Sequence, residues 1–232
     1  MHILDVALFQ DLVDRLLPGA SSKALLDLAK AAEQNEHGAM LVISSDAAGE
    51  AERLSPQSWA VEPVPLSPEL LRQLTSMDGA VLVDPQGRCH AIGVILDGRA
   101  AGHGDPARGS RFNNAVRYLD TEPPPAVVVV YSADGSIDIL PWLHPRVERE
   151  RVELAVQRYL ELAAERPPRL EDIYRARDTV KAFRFYLSEA QCRDVNLTQE
   201  ALNNWRYNDH RTMINDGDLT PDPRMNDSYW IE

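Results

Sequence analysis

Cysteine is scarce in this 232-residue chain: Cys89 and Cys192 are its only two, far apart and in no CxxC pairing. Neither a disulfide framework nor a thiolate zinc site is suggested. The six histidines show no HxH or HxxxH spacing, which removes the other common route to zinc. Long apolar runs are missing too. No window approaches the roughly 18 consecutive apolar residues that span a bilayer, and Asp5 and Asp11 stand where a signal peptide would be basic. The expectation is a soluble, cytoplasmic protein with no membrane partner. Positive charge is also short, with 24 Lys and Arg against 36 Asp and Glu and a net charge of −12. Affinity for a nucleic-acid backbone comes from clustered Lys and Arg, so nucleic acid is not the expected partner. Phosphate, if bound, has to be held locally, by backbone N–H groups, one or two arginines and a metal ion on carboxylates.

What remains is the balance of an ordinary globular chain, 44% hydrophobic and 26% charged. Its length suits one sizeable core with an appendage. From Val6 to Leu17 apolar residues recur at helical spacing until Pro18-Gly19 ends the run. Ser21 or Ser22 can cap a second helix carrying Leu25, Leu26, Leu28, Ala29 and Ala32, and Gly38 closes that region. Residues 39–43, Ala-Met-Leu-Val-Ile, read as a buried strand. The polar stretch Ser44 to Ser58 reads as a connection. Ser67, Pro68 and Glu69 supply a cap, a first-turn proline and a first-turn acid for a helix from Pro68 to Leu74.

Two strand candidates, 80–83 and 89–96, flank the turn Asp84-Pro85-Gln86-Gly87 and predict a hairpin. Residues 97–109 hold four glycines, after which Ser110 opens a helix through Ala115, Val116 and Leu119. A second hairpin is predicted from Val127 to Tyr131, Asp134-Gly135 and Ile137 to Leu140. Interspersed helices and strands of this kind give an α/β fold, a mixed β-sheet flanked by helices. Beyond Pro141 the pattern changes to charged helices over 146–166 and 170–187, with no strand pattern after them. From Asp216 five acids face one base, Arg224, which predicts an acidic tail that is extended or poorly ordered. The division expected is an N-terminal helix over 1–21, a nucleotide-binding domain over 22–145 and a helical C-terminal extension over 146–232.

Asp78-Gly79 at a strand entrance offers a carboxylate for a hard divalent cation beside a position where a ligand can approach the backbone, though Asp-Gly alone reads equally well as a turn. Gly109-Ser110-Arg111 places a guanidinium at a helix start, where anions bind. In order and spacing, the segments from about Ala24 to about Leu140 resemble the diadenylate cyclase domain found in the DNA-integrity scanning protein and in membrane-tethered cyclases. The similarity begins at His37-Gly38-Ala39-Met40-Leu41-Val42-Ile43 and passes through Ser67-Pro68-Glu69 to Asp78-Gly79-Ala80, the family's D-G-A motif. Its G-T-R-H-R-A motif resembles Gly109-Ser110-Arg111-Phe112-Asn113-Asn114. Its S-E-E-T-G resembles Ser132-Ala133-Asp134-Gly135.

The resemblance implies condensation of two ATP into cyclic di-AMP with Mg²⁺ or Mn²⁺, across a face-to-face homodimer or higher homo-oligomer. It implies catalytic roles for Asp78 and Arg111. It implies nucleotide contacts from Gly79, Ala80, Gly109, Ser110, Arg111, Asn113 and Ser132, and metal binding by Asp78 and Asp134. The departure is at Phe112 and Asn113, which stand where the family has His and a second Arg. Two alternatives stay open on the sequence: a nucleotide sensor of the same fold without turnover, and an interaction module working through the helices after Arg146.

Overall fold

The computed structural model describes residues 3–33, 35, 38–98, 105, 107–210 and 217–231, with side chains left aside at 206–210. His37, named above, lies outside the described residues. The chain divides into two compact units, Met1–Leu143 and His144–Glu232.

In the first unit, α1 (Val6–Leu16) starts where the Asp5 carboxylate accepts from the Leu8 N–H at 3.0 Å. It and α2 (Ser22–Ala32) bury Phe9, Leu12, Val13, Leu25 and Leu28 on one side of the sheet. The N-terminal helix is therefore part of this unit's core. The expected strand at 39–43 is β1 (Ala39–Ser44), buried along its whole length. Its alternation explains why: Ala39, Leu41 and Ile43 face α1 and α2, while Met40 and Val42 face the opposite layer.

The stretch expected to be a connection instead holds α3 (Ala47–Arg53) and a 3-10 turn at Ser55–Gln57. Its hydrophobic stripe is only Ala47, Ala51 and Leu54, with Glu50 buried among them, so periodicity was too faint to read. Asp46 supplies the start by accepting from the Gly49 N–H at 3.0 Å. An unassigned segment forms β2 (Trp59–Pro65). Pro63 and Pro65 hid it, and both are tolerated because β2 is an edge strand with a register shift between Ala60 and Val64. After α4 (Pro68–Leu74) come β3 (Ala80–Val83) and β4 (Arg88–Val94), antiparallel as the hairpin required.

Next, α5 (Ser110–Leu119) buries Phe112, Ala115 and Tyr118, and β5 (Ala126–Tyr131) pairs antiparallel with β6 (Ile137–Leu140). Strand order is β2-β4-β3-β1-β5-β6, with β1 and β3 parallel and the other pairs antiparallel. The fold is a mixed α/β sheet between helical layers, α1, α2 and α4 on one face and α3 and α5 on the other.

In the second unit α6 (Arg149–Ala164), α7 (Leu170–Ala182) and α8 (Glu189–His210) surround Tyr159, Ile173, Val180 and Val195. Buried among them, Arg177 and the Tyr159 hydroxyl both donate to Gln199 Oε1, the latter at 3.3 Å. One expectation fails here. Strand pairing does occur beyond Pro167: β7 (Val147–Glu148) and β8 (Trp230–Ile231) form a short parallel pair. Two residues per strand leave no room for a period-two pattern, so the sequence carries no sign of it.

Candidate functional site

Continuing the registers Leu41↔Val81 and Ala39↔Tyr131 to the strand ends places Gly38, Asp78 and Ser132 side by side at one end of the sheet. Antiparallel β4 brings Gly93 and Val94 to the same end. Residues remote in sequence therefore meet because β1 runs between β3 and β5.

Arg111 is the hub. It is the second residue of α5, and its Nη2 lies 3.4 Å from Asp78 Oδ1. Its Nη1 passes over the entrance of β1, where a Cβ on Gly38 would come within 2.9 Å of it and 2.7 Å of the Tyr131 carbonyl oxygen. Gly38 has φ +80°, a conformation and a clearance that only glycine combines without strain. Asp78 is 97% exposed on its side chain, so its carboxylate faces solvent as well as the guanidinium. Its Oδ1 also accepts from the Gly79 N–H at 3.0 Å. Gly79, at φ +98°, lies so close to Gly93 that a Cβ would sit 2.5 Å from that residue's carbonyl carbon. Ala80 is fully buried with its side chain in the core, leaving only its backbone for a ligand.

At the start of α5, Gly109 stands at the cap position without a side-chain cap hydrogen bond among the described residues, and Ser110 is exposed beside it. First-turn N–H groups and the positive end of the helix dipole thus accompany Arg111. Asn113 has another task. Its Nδ2 donates to the carbonyls of Asp105, Arg108 and Gly109 at 3.0, 3.0 and 3.2 Å, and its Oδ1 accepts from the Asp105 N–H at 2.8 Å. The side chain organises the segment entering α5. Phe112 is 4% exposed in the core, with Arg108 over its ring at 4.2 Å and Trp142 at 5.8 Å.

Ser132 and Asp134 form a tight turn in which Gly135 N–H donates to the Ser132 carbonyl at 2.9 Å. The Asp134 carboxylate accepts from Ser136 N–H and Oγ at 2.9 and 2.8 Å. Two strand spacings of about 4.8 Å separate the Asp78 and Ser132 backbones, roughly 10 Å. The structure thus joins Asp78 to Arg111 and holds the Asp134 carboxylate on Ser136. Among the described residues no group of three or more His, Cys, Asp or Glu is placed to hold a metal. An exposed single carboxylate such as Asp78 fits Mg²⁺ or Mn²⁺ when nucleotide phosphates and water complete the shell.

Sequence reasoning missed two features near this end. Trp59, 63% exposed, lies over Gly93, where a Cβ would meet its ring at 2.5 Å. The buried carboxylate of Glu50 accepts from Tyr118 and Arg53, and Arg53 also binds Asp97 just after β4. Trp59 sits in the proline-bearing strand that showed no pattern, and Glu50 lies in the polar stretch read as a connection.

A family model described as DisA bacterial checkpoint controller nucleotide-binding, abbreviated DAC, matches residues 27–141. That stretch contains all of the convergent residues. Residues 27–141 belong to the diadenylate cyclase domain family. Among solved structures, DacA from Staphylococcus aureus, a double mutant, is 20% identical with a TM-score of 0.42, covering 50% of this chain and 80% of that one. A hypothetical membrane spanning protein from Bacillus cereus is 21% identical with a TM-score of 0.43, covering 55% of this chain and 63% of that one. No curated protein matches. Among the described residues, no helix is long and apolar enough to cross a membrane.

Proposed function

We propose that the diadenylate cyclase-type domain binds ATP and condenses two molecules into cyclic di-AMP with release of two pyrophosphates, in a homodimer or higher homo-oligomer. The observation that carries this reading is the convergence of Asp78, Arg111 and the start of α5 at one end of the sheet. A guanidinium and helix N–H groups suit the charge that grows on phosphate oxygens during transfer. Asp78, exposed and one hydrogen bond from Gly79, would hold Mg²⁺ or Mn²⁺, which supplies Lewis-acid polarisation of a phosphoryl oxygen. Gly79, Ala80, Gly109, Ser110 and Ser132 offer backbone or hydroxyl contacts to the nucleotide. Asp134 would join the metal shell through its carboxylate while Ser136 holds Oδ1. Asn113 acts by shaping the approach to α5 rather than by touching phosphate.

A second reading, nucleotide binding without turnover, is favoured by one pair of observations: Phe112 is in the core and the Asn113 amide is committed to the loop. Neither brings a second cation to the phosphates. Incubation with ATP and Mn²⁺, read by mass spectrometry for cyclic di-AMP and by calorimetry for binding, separates the two. Product that falls at least 100-fold in Asp78→Asn, with the fold intact, supports the cyclase. Binding without product selects the sensor, and no binding at millimolar ATP refutes both.

A further inference from the structure

Residues 217–231 form an extended tail held against the helices of the second unit by contacts of the kind used to hold a linear peptide. Asn196 of α8 makes two hydrogen bonds to the main chain of Leu219. Its Nδ2 donates to the carbonyl oxygen and its Oδ1 accepts from the N–H, each at 2.9 Å. A side-chain amide used this way copies a neighbouring strand and reads backbone rather than side chain. At the other end Trp230 and Ile231 add a parallel strand to Val147 and Glu148, again through main chain.

Side-chain anchors are few and aromatic. Tyr229 is 6% exposed, with its ring 4.7 Å from that of Phe185. Arg149 lies 4.6 Å over the Trp230 ring and 3.3 Å from the Asp227 carboxylate. Between anchors the tail is largely exposed. Cavities of about 880, 330 and 260 Å³ lie along the seam, lined by tail residues on one side and by helix and turn residues on the other. The helical interior differs, with Tyr159, Val180 and Val195 wholly excluded from solvent. Interiors are close-packed. A seam lined with cavities and closed by main-chain captures is suited to opening and reclosing.

We infer that the helical unit is a peptide-binding module whose resident ligand is the chain's own segment 217–231, and whose groove accepts the same segment from a second copy. Charge contributes at one point, where Arg149 of the groove pairs with Asp227 of the tail at 3.3 Å, and the rest of the lining is mixed, with Arg184 and Arg193 beside Glu153, Glu189 and Glu200. Nothing in these contacts depends on the tail belonging to the same chain. The resident tail's advantage is local concentration, on the order of millimolar for a short connection. A segment offered in trans therefore competes only when the resident one is weakened.

The test uses the full chain with Tyr229→Ala and Trp230→Ala, which disarms the tail and leaves the groove. A dye-labelled synthetic peptide of residues 217–231 is titrated in and followed by fluorescence anisotropy. Saturable binding is expected, at least tenfold tighter than to the parent chain, weakened by added salt and lost when Asn196→Ala is added. Hydrogen exchange on the parent chain should show tail amides opening well ahead of those in α6 to α8. The inference is overturned if the double variant keeps its helical circular dichroism but binds no peptide, or if the double substitution unfolds the helices. It is equally overturned if tail amides exchange only together with the helices. No outcome depends on nucleotide turnover, so this reading and the cyclase reading fail separately.

Discussion

Replacing Arg53 by Met removes the cation from a buried polar cluster and gives the fold a quantitative test. Glu50 is 4% exposed, and the guanidinium donates to both its oxygens at 2.8 Å, while the Tyr118 hydroxyl donates to Oε2 at 2.8 Å. The same guanidinium bonds both oxygens of Asp97 at 2.5 and 3.1 Å. Hydrogen bonds donated to Glu50 and then to Asp97 hold Arg53 far above even the usual arginine range. Losing one partner of a fully buried ion pair costs about 3–5 kcal/mol, because the other charge is stranded. Arg53 is 41% exposed on its side chain, so water replaces part of what is lost. The expected cost is about 2–3 kcal/mol. With a urea slope of about 2 kcal/mol/M, the midpoint falls by about 1–1.5 M. Adding Glu50→Gln removes the stranded charge and should recover about 1 kcal/mol or more, a non-additivity that independent sites do not show. Urea melts of the parent, single and double variants decide it. An Arg53→Met chain within about 0.5 kcal/mol of the parent, or a double variant no more stable than the single, refutes the argument. Release of Asp97 should also loosen the segment after β4, and ATP affinity is expected to fall.

Gly38→Ala forces a Cβ to 2.7 Å from the Tyr131 carbonyl oxygen and against Arg111 at φ +80°, so a stability loss of about 1–3 kcal/mol and weaker ATP binding are expected; unchanged calorimetry would count against Arg111 as the hub. Asn113→Leu removes the amide that ties Asp105, Arg108 and Gly109 together, and should raise KM for ATP more than it lowers kcat while costing about 1–3 kcal/mol. Burial first, with nearby Glu50 or Glu33, pushes the Tyr118 and Tyr131 hydroxyls up, so the unfolded chain loses those protons first. Their contribution is complete below the ordinary tyrosine value of about 10 and drains away above it. Tyr131→Phe should flatten that alkaline loss in denaturation midpoints taken from pH 8 upward. Burial also pushes the Cys89 thiol up to about 11, so iodoacetamide at pH 8 should leave it unmodified in the folded chain and label it in urea.

The sequence by itself determined the elements whose signal is local. The cap at Ser67, the turn at Asp84 to Gly87, the buried run at 39–43 and the motif order from Asp78 to Ser132 could be read without a structure, because capping, turn chemistry and apolar runs act within a few residues. The family of residues 27–141 followed from that order. Only the tertiary structure decided which strand lies beside which, and so that Gly38, Asp78 and Ser132 share one end of the sheet. Pairing partners are chosen by packing between residues distant in sequence, which no local period encodes. The same reason hid α3, whose buried residues are small or charged, and β2, whose prolines are harmless only at an edge. It also hid the loop contacts of Asn113, since only the tertiary structure places Asp105 and Gly109 around its amide.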